Sequence, residues 1–150
     1  MKKKSLDIKS KLINNITLDG RKKTSEKILL KSLKELQKSS KKQSKELVKL
    51  ALIQSTPIFK LHRISNKKLK KKNRRVREIP AFISKMSART SLAIKFILTS
   101  IEKKKSNNFY LKLKENLLVT AQAKGNAVKL KNELQKQSIL HKRFFKYYRW

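Results

Sequence analysis

The stretch Asn66-Lys67-Lys68-Leu69-Lys70-Lys71-Lys72-Asn73-Arg74-Arg75-Val76-Arg77 decides how this chain is read. Eight of its twelve residues are cationic and none is acidic, so it has no means of packing on itself. Short apolar-rich flanks adjoin it, Ile58-Phe59-Lys60-Leu61 after Pro57 and Ile79-Pro80-Ala81-Phe82-Ile83 behind it. Two extended runs joined by a charged tip read as a β-hairpin: alternate residues face opposite sides, and the tip projects into water or onto a polyanion. Helical patterns lie on both sides. The expected architecture is mainly α, a bundle of about six helices with one protruding basic β-hairpin. Residues 1–150 read as a single domain, with the arm, 56–84, inserted between the third and fourth helices.

Before the arm, Leu6, Ile8, Leu12, Ile13 and Ile16 have the spacing of a short amphipathic helix, ended by the turn Leu18-Asp19-Gly20. Thr24 or Ser25 is the expected cap of a second helix, with Glu26 in its first turn and Ile28, Leu29, Leu33 and Leu36 as its apolar stripe. After the polar loop Ser39 to Gln43, Ser44 starts a third helix carrying Leu47, Val48, Ala51 and Leu52, which must stop before Pro57. Behind the arm, Ser87 is the expected cap of a fourth helix. Its Leu92, Ile94, Ile97, Leu98 and Ile101 follow the i, i+3, i+4, i+7 pattern, and Lys103-Lys104-Lys105 offset its C-terminal dipole. Asn107 or Asn108 opens a fifth helix with Leu113, Leu117, Leu118 and Ala121, and Gly125 reads as its C′ residue. The last helix is expected from about Asn126 through Val128, Leu134 and Ile139 toward Trp150.

Composition narrows the function. The net charge is +33, from 42 Lys and Arg against 9 Asp and Glu. Self-repulsion on that scale opposes compaction and calls for a counter-charge, of which a phosphate backbone is the commonest. A wholly disordered basic chain fits poorly, because hydrophobic residues make up 38% of the sequence and are spaced periodically. Cysteine is absent, which excludes disulfides and thiolate metal sites. No apolar run exceeds Leu50-Ala51-Leu52-Ile53, too short for a spanning helix or a secretory signal, and Met1–Asp7 does not read as an import sequence. Thirty-four lysines to eight arginines, two glycines and plentiful Asn and Ile suit an AT-rich coding sequence, as in an organelle genome.

Catalysis finds no foothold. The nine acids are scattered without paired carboxylates, and two glycines can build neither GxxxxGK[ST] nor GxGxxG. His62 and His141 have no Cys, Asp or Glu at ligand spacing and read as surface or RNA-facing residues. The chain reads as no enzyme, with no metal, no cofactor and no small-molecule substrate.

Several segments, in order, resemble the small-subunit ribosomal protein seven family of bacteria and organelles. Leu18-Asp19-Gly20-Arg21-Lys22-Lys23-Thr24-Ser25-Glu26 is similar to the family's DGKK-[ST]-x-E entry to the second helix. Arg89-Thr90-Ser91-Leu92-Ala93-Ile94-Lys95-Phe96 resembles its R-x-x-A-L-A-x-[RK]-W helix, with Phe96 in place of tryptophan. Lys124-Gly125-Asn126-Ala127-Val128-Lys129 matches KG-x-A-V-K, Tyr148-Arg149-Trp150 matches YRW, and Arg74-Arg75-Val76 with Ile79-Pro80 falls in the hairpin's return strand. The likeness covers roughly residues 10 to 150. The family's glycines at the hairpin tip are replaced by a longer Lys-rich tip, and its basic N-terminal arm reads as shortened. The resemblance implies six helices and a ribbon bound to the 3′ major domain of small-subunit rRNA, an early binder that nucleates assembly of the subunit head. It further implies a hairpin near the exit-site tRNA and the mRNA path, and partners among the head and platform proteins. A mitochondrial ribosome is the location this suggests, with a plastid or the bacterial cytoplasm as alternatives.

Lys67, Lys68, Lys70, Lys71, Lys72, Arg74, Arg75 and Arg77 are the expected phosphate contacts, read by shape and backbone because folded RNA closes its deep groove to side chains. The arginines fit phosphate bidentately and are the stronger candidates; a merely solvated loop is the competing reading. Arg21, Lys22 and Lys23 precede a helix N-terminus, where backbone amides also favour a phosphate; local pattern fits a solvated cap equally well, and the family resemblance tips the reading toward RNA. Arg89 sits in a first helical turn, where a cation costs from tenths to about 1 kcal/mol, so an external anion would explain it. Lys95, Lys124, Lys129 and Lys131 complete the basic set. Phe144 and Phe145 read better as anchors of the last helix than as stacking platforms, whereas Arg149 and Trp150 are candidates for RNA. A histone-like architectural DNA-binding protein is the rival reading that charge alone permits. A membrane-active role is the weakest: it needs one helix with a wide basic face and Trp or Phe opposite, yet the aromatics are gathered at the C-terminus.

Overall fold

In the computed structural model, residues 8–65, 76–102 and 108–147 are described, with the side chains of 64, 65, 76, 77, 146 and 147 outside that description. Six α-helices and one two-stranded sheet follow in the order α1 Ile8–Ile16, α2 Lys22–Ser39, α3 Ser44–Ser55, β1 Phe59–Ser65, β2 Val76–Phe82, α4 Met86–Glu102, α5 Phe109–Ala121 and α6 Asn126–Leu140, closed by a 3-10 helix at Lys142–Tyr147. The mainly α bundle with a hairpin between its third and fourth helices is the architecture that the apolar periodicity called for.

Period 3.6 selects the core. Leu12, Ile13 and Ile16 of α1, Leu29 and Leu36 of α2, and Leu113 and Leu117 of α5 are buried together with α4's Ile94, Ile97 and Ile101. Helices α4 and α5 form the centre, α4 packed against α1, α3, α5 and α6, and α5 against α2, α3, α4 and α6. Each such Leu or Ile contributes about 1.5–3 kcal/mol of burial. Serine is the polar residue that these crowded interfaces admit most often, beside Asn116 and Thr120. The hydroxyls of Ser32, Ser55, Ser100 and Ser138 donate to carbonyls three or four residues back, Leu29, Ala51, Phe96 and Leu134, at 2.7–2.8 Å. Each of these four hydroxyls is thereby satisfied by its own helix.

Helix boundaries correct four expectations. Helix α2 begins at Lys22, not after Thr24 or Ser25; Arg21 takes the N-cap place without a side-chain bond, and Ser25 is buried with Oγ donating to Arg21 O. Glu26 accordingly lies beyond the first turn and pairs sideways with Lys9 of α1 at 3.0 Å. Helix α4 begins at Met86, and Ser87 is no cap: its carbonyl and Oγ accept from Lys11 Nζ at 2.9 and 2.6 Å, tying α1 to the start of α4. Helix α5 ends at Ala121, with Ala123 taking the left-handed conformation at φ 58°, so Gly125 is not its C′ residue. Gly125 (φ 92°, ψ 176°) instead occupies the N-cap place of α6, where a Cβ would meet Val119 Cγ1 at 2.9 Å. Only glycine satisfies both conditions. The last helix stops at Leu140 rather than running toward Trp150, and Ile139 is exposed rather than core. The chain breaks direction at His141 so that the 3-10 helix can pack on β2. Gly20, by contrast, sits in the expected turn with φ 72°. Leu6 and Lys103-Lys104-Lys105 lie outside the described residues.

The strands are antiparallel in a register running from Phe59↔Phe82 to Ser65↔Val76. Pro80 is tolerated because both strands of so small a sheet are edges. Phe59, Leu61 and Arg63 share one face with Phe82, Pro80 and Glu78; Lys60 and His62 share the other with Ala81 and Ile79. At the foot, the Phe59 ring meets Phe82 edge-on at 6.3 Å and stacks on Phe145 at 5.6 Å.

Candidate nucleic-acid interface

With 42 cations and 9 acids, even complete internal pairing would leave 33 positive charges for solvent or a partner (42 − 9 = 33). Three acids have a cation beside them: Glu26 pairs with Lys9 and Glu35 with Lys38, each at 3.0 Å, and Glu78 pairs with Arg63, its cross-strand register partner, at 2.9 Å. The hydrogen bond from Lys38 holds the Glu35 carboxyl below the usual carboxylate range, with the positive fields of Lys38, Lys114 and Lys31 adding to it.

The arm places its connection at a distance. Residues 66–75 join the strands at Ser65↔Val76, six residue steps, or on the order of 20 Å, beyond the foot at Phe59↔Phe82. Lys67, Lys68, Lys70, Lys71, Lys72, Arg74 and Arg75 lie outside the described residues. The backbone of Arg77 is in β2 opposite Ile64. Within the hairpin, Arg63 and Glu78 cancel each other on one face, while Lys60 is exposed on the opposite one.

Arg21, Lys22 and Lys23 are exposed where the Asp19-Gly20 turn enters α2, with Lys22 N donating to Gly20 O at 2.8 Å. Asp19 and Gly20 both have positive φ, 51° and 72°, which sets the sharp entry of the chain into the helix. Helix first turns present amides without intrahelical acceptors, so three cations and a row of donors coincide there. Arg89 is half-buried, and its cation is accommodated inside the molecule: Nε donates to Ile83 O, and the guanidinium lies 4.8 Å over the Phe82 ring. An external anion is therefore not needed to explain a cation at that helix start. Lys95 is exposed on α4, Lys124 in the turn before α6, and Lys129 on α6, where Lys131 is half-buried. Helices α4 and α6 pack together, and α6 packs on β1, so Arg89, Lys95, Lys129, Lys131 and the hairpin are carried on contiguous elements. The Arg21–Lys23 group connects to them through α1, which touches both α2 and α4.

Phe145 anchors the chain to the hairpin foot, as its stack on Phe59 shows, and Phe144 lies beside His141 and Arg143. Arg149 and Trp150 lie outside the described residues. His141 follows α6 at its C-cap, and His62 is half-buried on the hairpin; among the described residues no three His, Cys, Asp or Glu groups are placed to hold a metal.

One basic feature escaped the sequence reading. Lys23, Lys27, Lys31, Lys34 and Lys38 are all exposed along α2. Projected at 100° per residue they fall within about 80° of arc, opposite the buried Ser25, Leu29, Ser32 and Leu36. Because they are dispersed in sequence, a search for contiguous charge runs passes over them; a helical projection finds them.

A family model described as ribosomal protein S7p/S5e matches residues 1–142 of the chain. The chain is 30% identical over 148 residues to small ribosomal subunit protein uS7 of Wigglesworthia glossinidia brevipalpis, covering 96% of this chain and 87% of that one. It is 28% identical over 145 residues to uS7 of Pseudothermotoga lettingae, covering 94% and 86%. It is 27% identical over 135 residues to uS7c of Euglena gracilis, covering 90% and 82%.

Proposed function

The chain belongs to the ribosomal protein S7p/S5e family, and on that premise we propose that it is a structural component of the small ribosomal subunit that binds the 3′ major domain of its rRNA. A ribosomal protein of this kind is a scaffold, not an enzyme. Binding proceeds by phosphate neutralisation on a pre-shaped helical surface and on the basic arm, with Arg74, Arg75 and Arg77 as principal contacts and Arg21, Lys22, Lys23, Lys95, Lys124, Lys129 and Lys131 as the supporting set. Early binding orders the RNA of the subunit head, and the arm lies near the exit-site tRNA and the mRNA path, with head and platform proteins as neighbours.

The observation that carries this reading is family membership together with a charge that the protein cannot match internally. The family also displaces the architectural DNA-binding reading, which rested on charge alone. The relatives include bacterial uS7 proteins and the uS7c of Euglena gracilis. The lysine-rich, glycine-poor composition supports an organellar, mitochondrial ribosome as the site of action. Cross-linking the protein in its native particle and sequencing the attached RNA tests the assignment. Attachment to the 3′ major domain is expected; attachment confined to another rRNA domain would overturn it.

A further inference from the structure

We propose that the lysine stripe of α2, Lys23, Lys27, Lys31, Lys34 and Lys38, is a second RNA-backbone site that takes a different segment from the one gripped by the arm. The idea rests on the functional reading above and extends it along α2 beyond Lys23, to four lysines that reading did not use. The stripe spans fifteen residue steps, about 22 Å of helix, with neighbouring cations about 4.5–6 Å apart along the axis. A row of that kind suits a row of phosphates.

Amphipathic helices ordinarily carry charge on their outer face, so a solvated surface is the competing explanation. The distribution of acids argues against it. Glu26 and Glu35 are the acids of α2: Glu26 turns away from the stripe toward Lys9 on α1, and Glu35 lies on its flank, where it pairs with one member, Lys38. The exposed faces of the other long helices are mixed or sparse. On α6, Glu133 interrupts Lys129 and Lys136; α3 exposes only two lysines, Lys45 and Lys49, on one face; on α4, Lys95 shares its face with Glu102. Among the described residues, only α2 lines up five exposed lysines on one face, and a single acid, Glu35, reaches one of them, Lys38. At the middle of the row Lys31 is braced over the Tyr110 ring of α5, 4.1 Å from its centroid. That contact fixes one cation at the surface, as a preformed site requires.

Location separates the stripe from the arm. Helix α2 packs on α1, α3 and α5, whereas the hairpin packs on α6 and the 3-10 helix. A protein holding RNA at both places would tie two segments together.

The test uses three full-length proteins, wild type, K27Q/K31Q/K34Q and R74A/R75A/R77A, with small-subunit rRNA, read by the salt dependence of binding and by backbone footprinting. Glutamine retains helix propensity, and far-UV dichroism and melting confirm folding. The stripe variant should show a salt slope shallower by about 0.7–0.9 for each phosphate that it no longer neutralises. It should also lose protection of an RNA segment that the arm variant still protects, and K27R/K31R/K34R should restore both. A stripe variant with wild-type slope and footprint, beside an altered arm variant, overturns the stripe and leaves the functional reading standing; an acidic protein as the true occupant would give that result. Wild-type protein with no preference for this rRNA over duplex DNA would overturn the functional reading itself.

Discussion

The ring of Phe145 lies nearly parallel to that of Phe59, 15° apart in plane and 5.6 Å between centroids, so the C-terminal 3-10 helix is fastened to the foot of the hairpin. A basic arm can hold RNA in a defined place only if its base is rigid, and this stack joins β1 to the segment after α6.

Replacing Phe145 with Ala should lower stability by about 1–3 kcal/mol through reduced burial and stacking. A thermal melt would register it at roughly 2–4 °C per kcal/mol for a chain of this size. In a double-mutant cycle with F59A the coupling should be about 0.5–1.5 kcal/mol. Zero coupling would mean that the rings touch without stabilising the junction.

Gly125 and Gly20 both have positive φ, yet they should respond differently to Ala. At Gly20 nothing lies within 4 Å of a built Cβ, leaving the backbone cost alone, about 1–2 kcal/mol. At Gly125 the backbone occupies a region that is nearly glycine-only, costing about 1–3 kcal/mol, and Val119 Cγ1 must also move. G125A should therefore melt lower than G20A, and adding V119A should relieve the clash while leaving the backbone strain. Equal melting temperatures for the two glycine variants would contradict this.

Thr120 is fully buried on α5, and its Oγ1 has no hydrogen-bond partner among the described residues. A buried hydroxyl without a partner is destabilising relative to a methyl of the same shape. T120V should raise stability by about 1 kcal/mol in chemical denaturation; a decrease of that size would show that the hydroxyl is satisfied in solution.

Glu35 supplies a pH test. Its carboxyl is depressed in the folded state by the Lys38 hydrogen bond, so the unfolded chain takes up the proton first as pH falls. The stabilising contribution is complete above the ordinary carboxylate value, about 4.3, and is lost as pH drops through the lower folded value. Wild type should melt above E35Q near neutrality, with the gap closing in that acid window. A gap that is constant with pH would contradict the linkage.

The helices were legible because their apolar residues repeat at 3.6, and burial of Leu29, Leu36, Ile94, Ile97, Leu113 and Leu117 follows that period. The hairpin was legible from its flanks and prolines. Helix ends were less so, for a physical reason: Ser25 and Ser87 have the chemistry of caps but spend their hydroxyls on Arg21 O and on Lys11 Nζ. The break after Leu140 was invisible because it answers to a contact between Phe145 and Phe59, far apart in sequence. In the candidate site, Lys22, Lys23, Lys95, Lys124 and Lys129 are exposed as expected, whereas Arg89 is engaged by Ile83 O and Phe82. The α2 stripe was missed because its lysines are neighbours on the helix surface and not along the chain.

The most direct measurement is the affinity of the full chain for the 3′ major domain of small-subunit rRNA across a salt series, wild type beside R74A/R75A/R77A. The account requires weaker binding by the variant and a log–log slope shallower by about 0.7–0.9 for each phosphate left without its arginine. Superimposable lines for the two proteins would mean that the arm never meets the RNA.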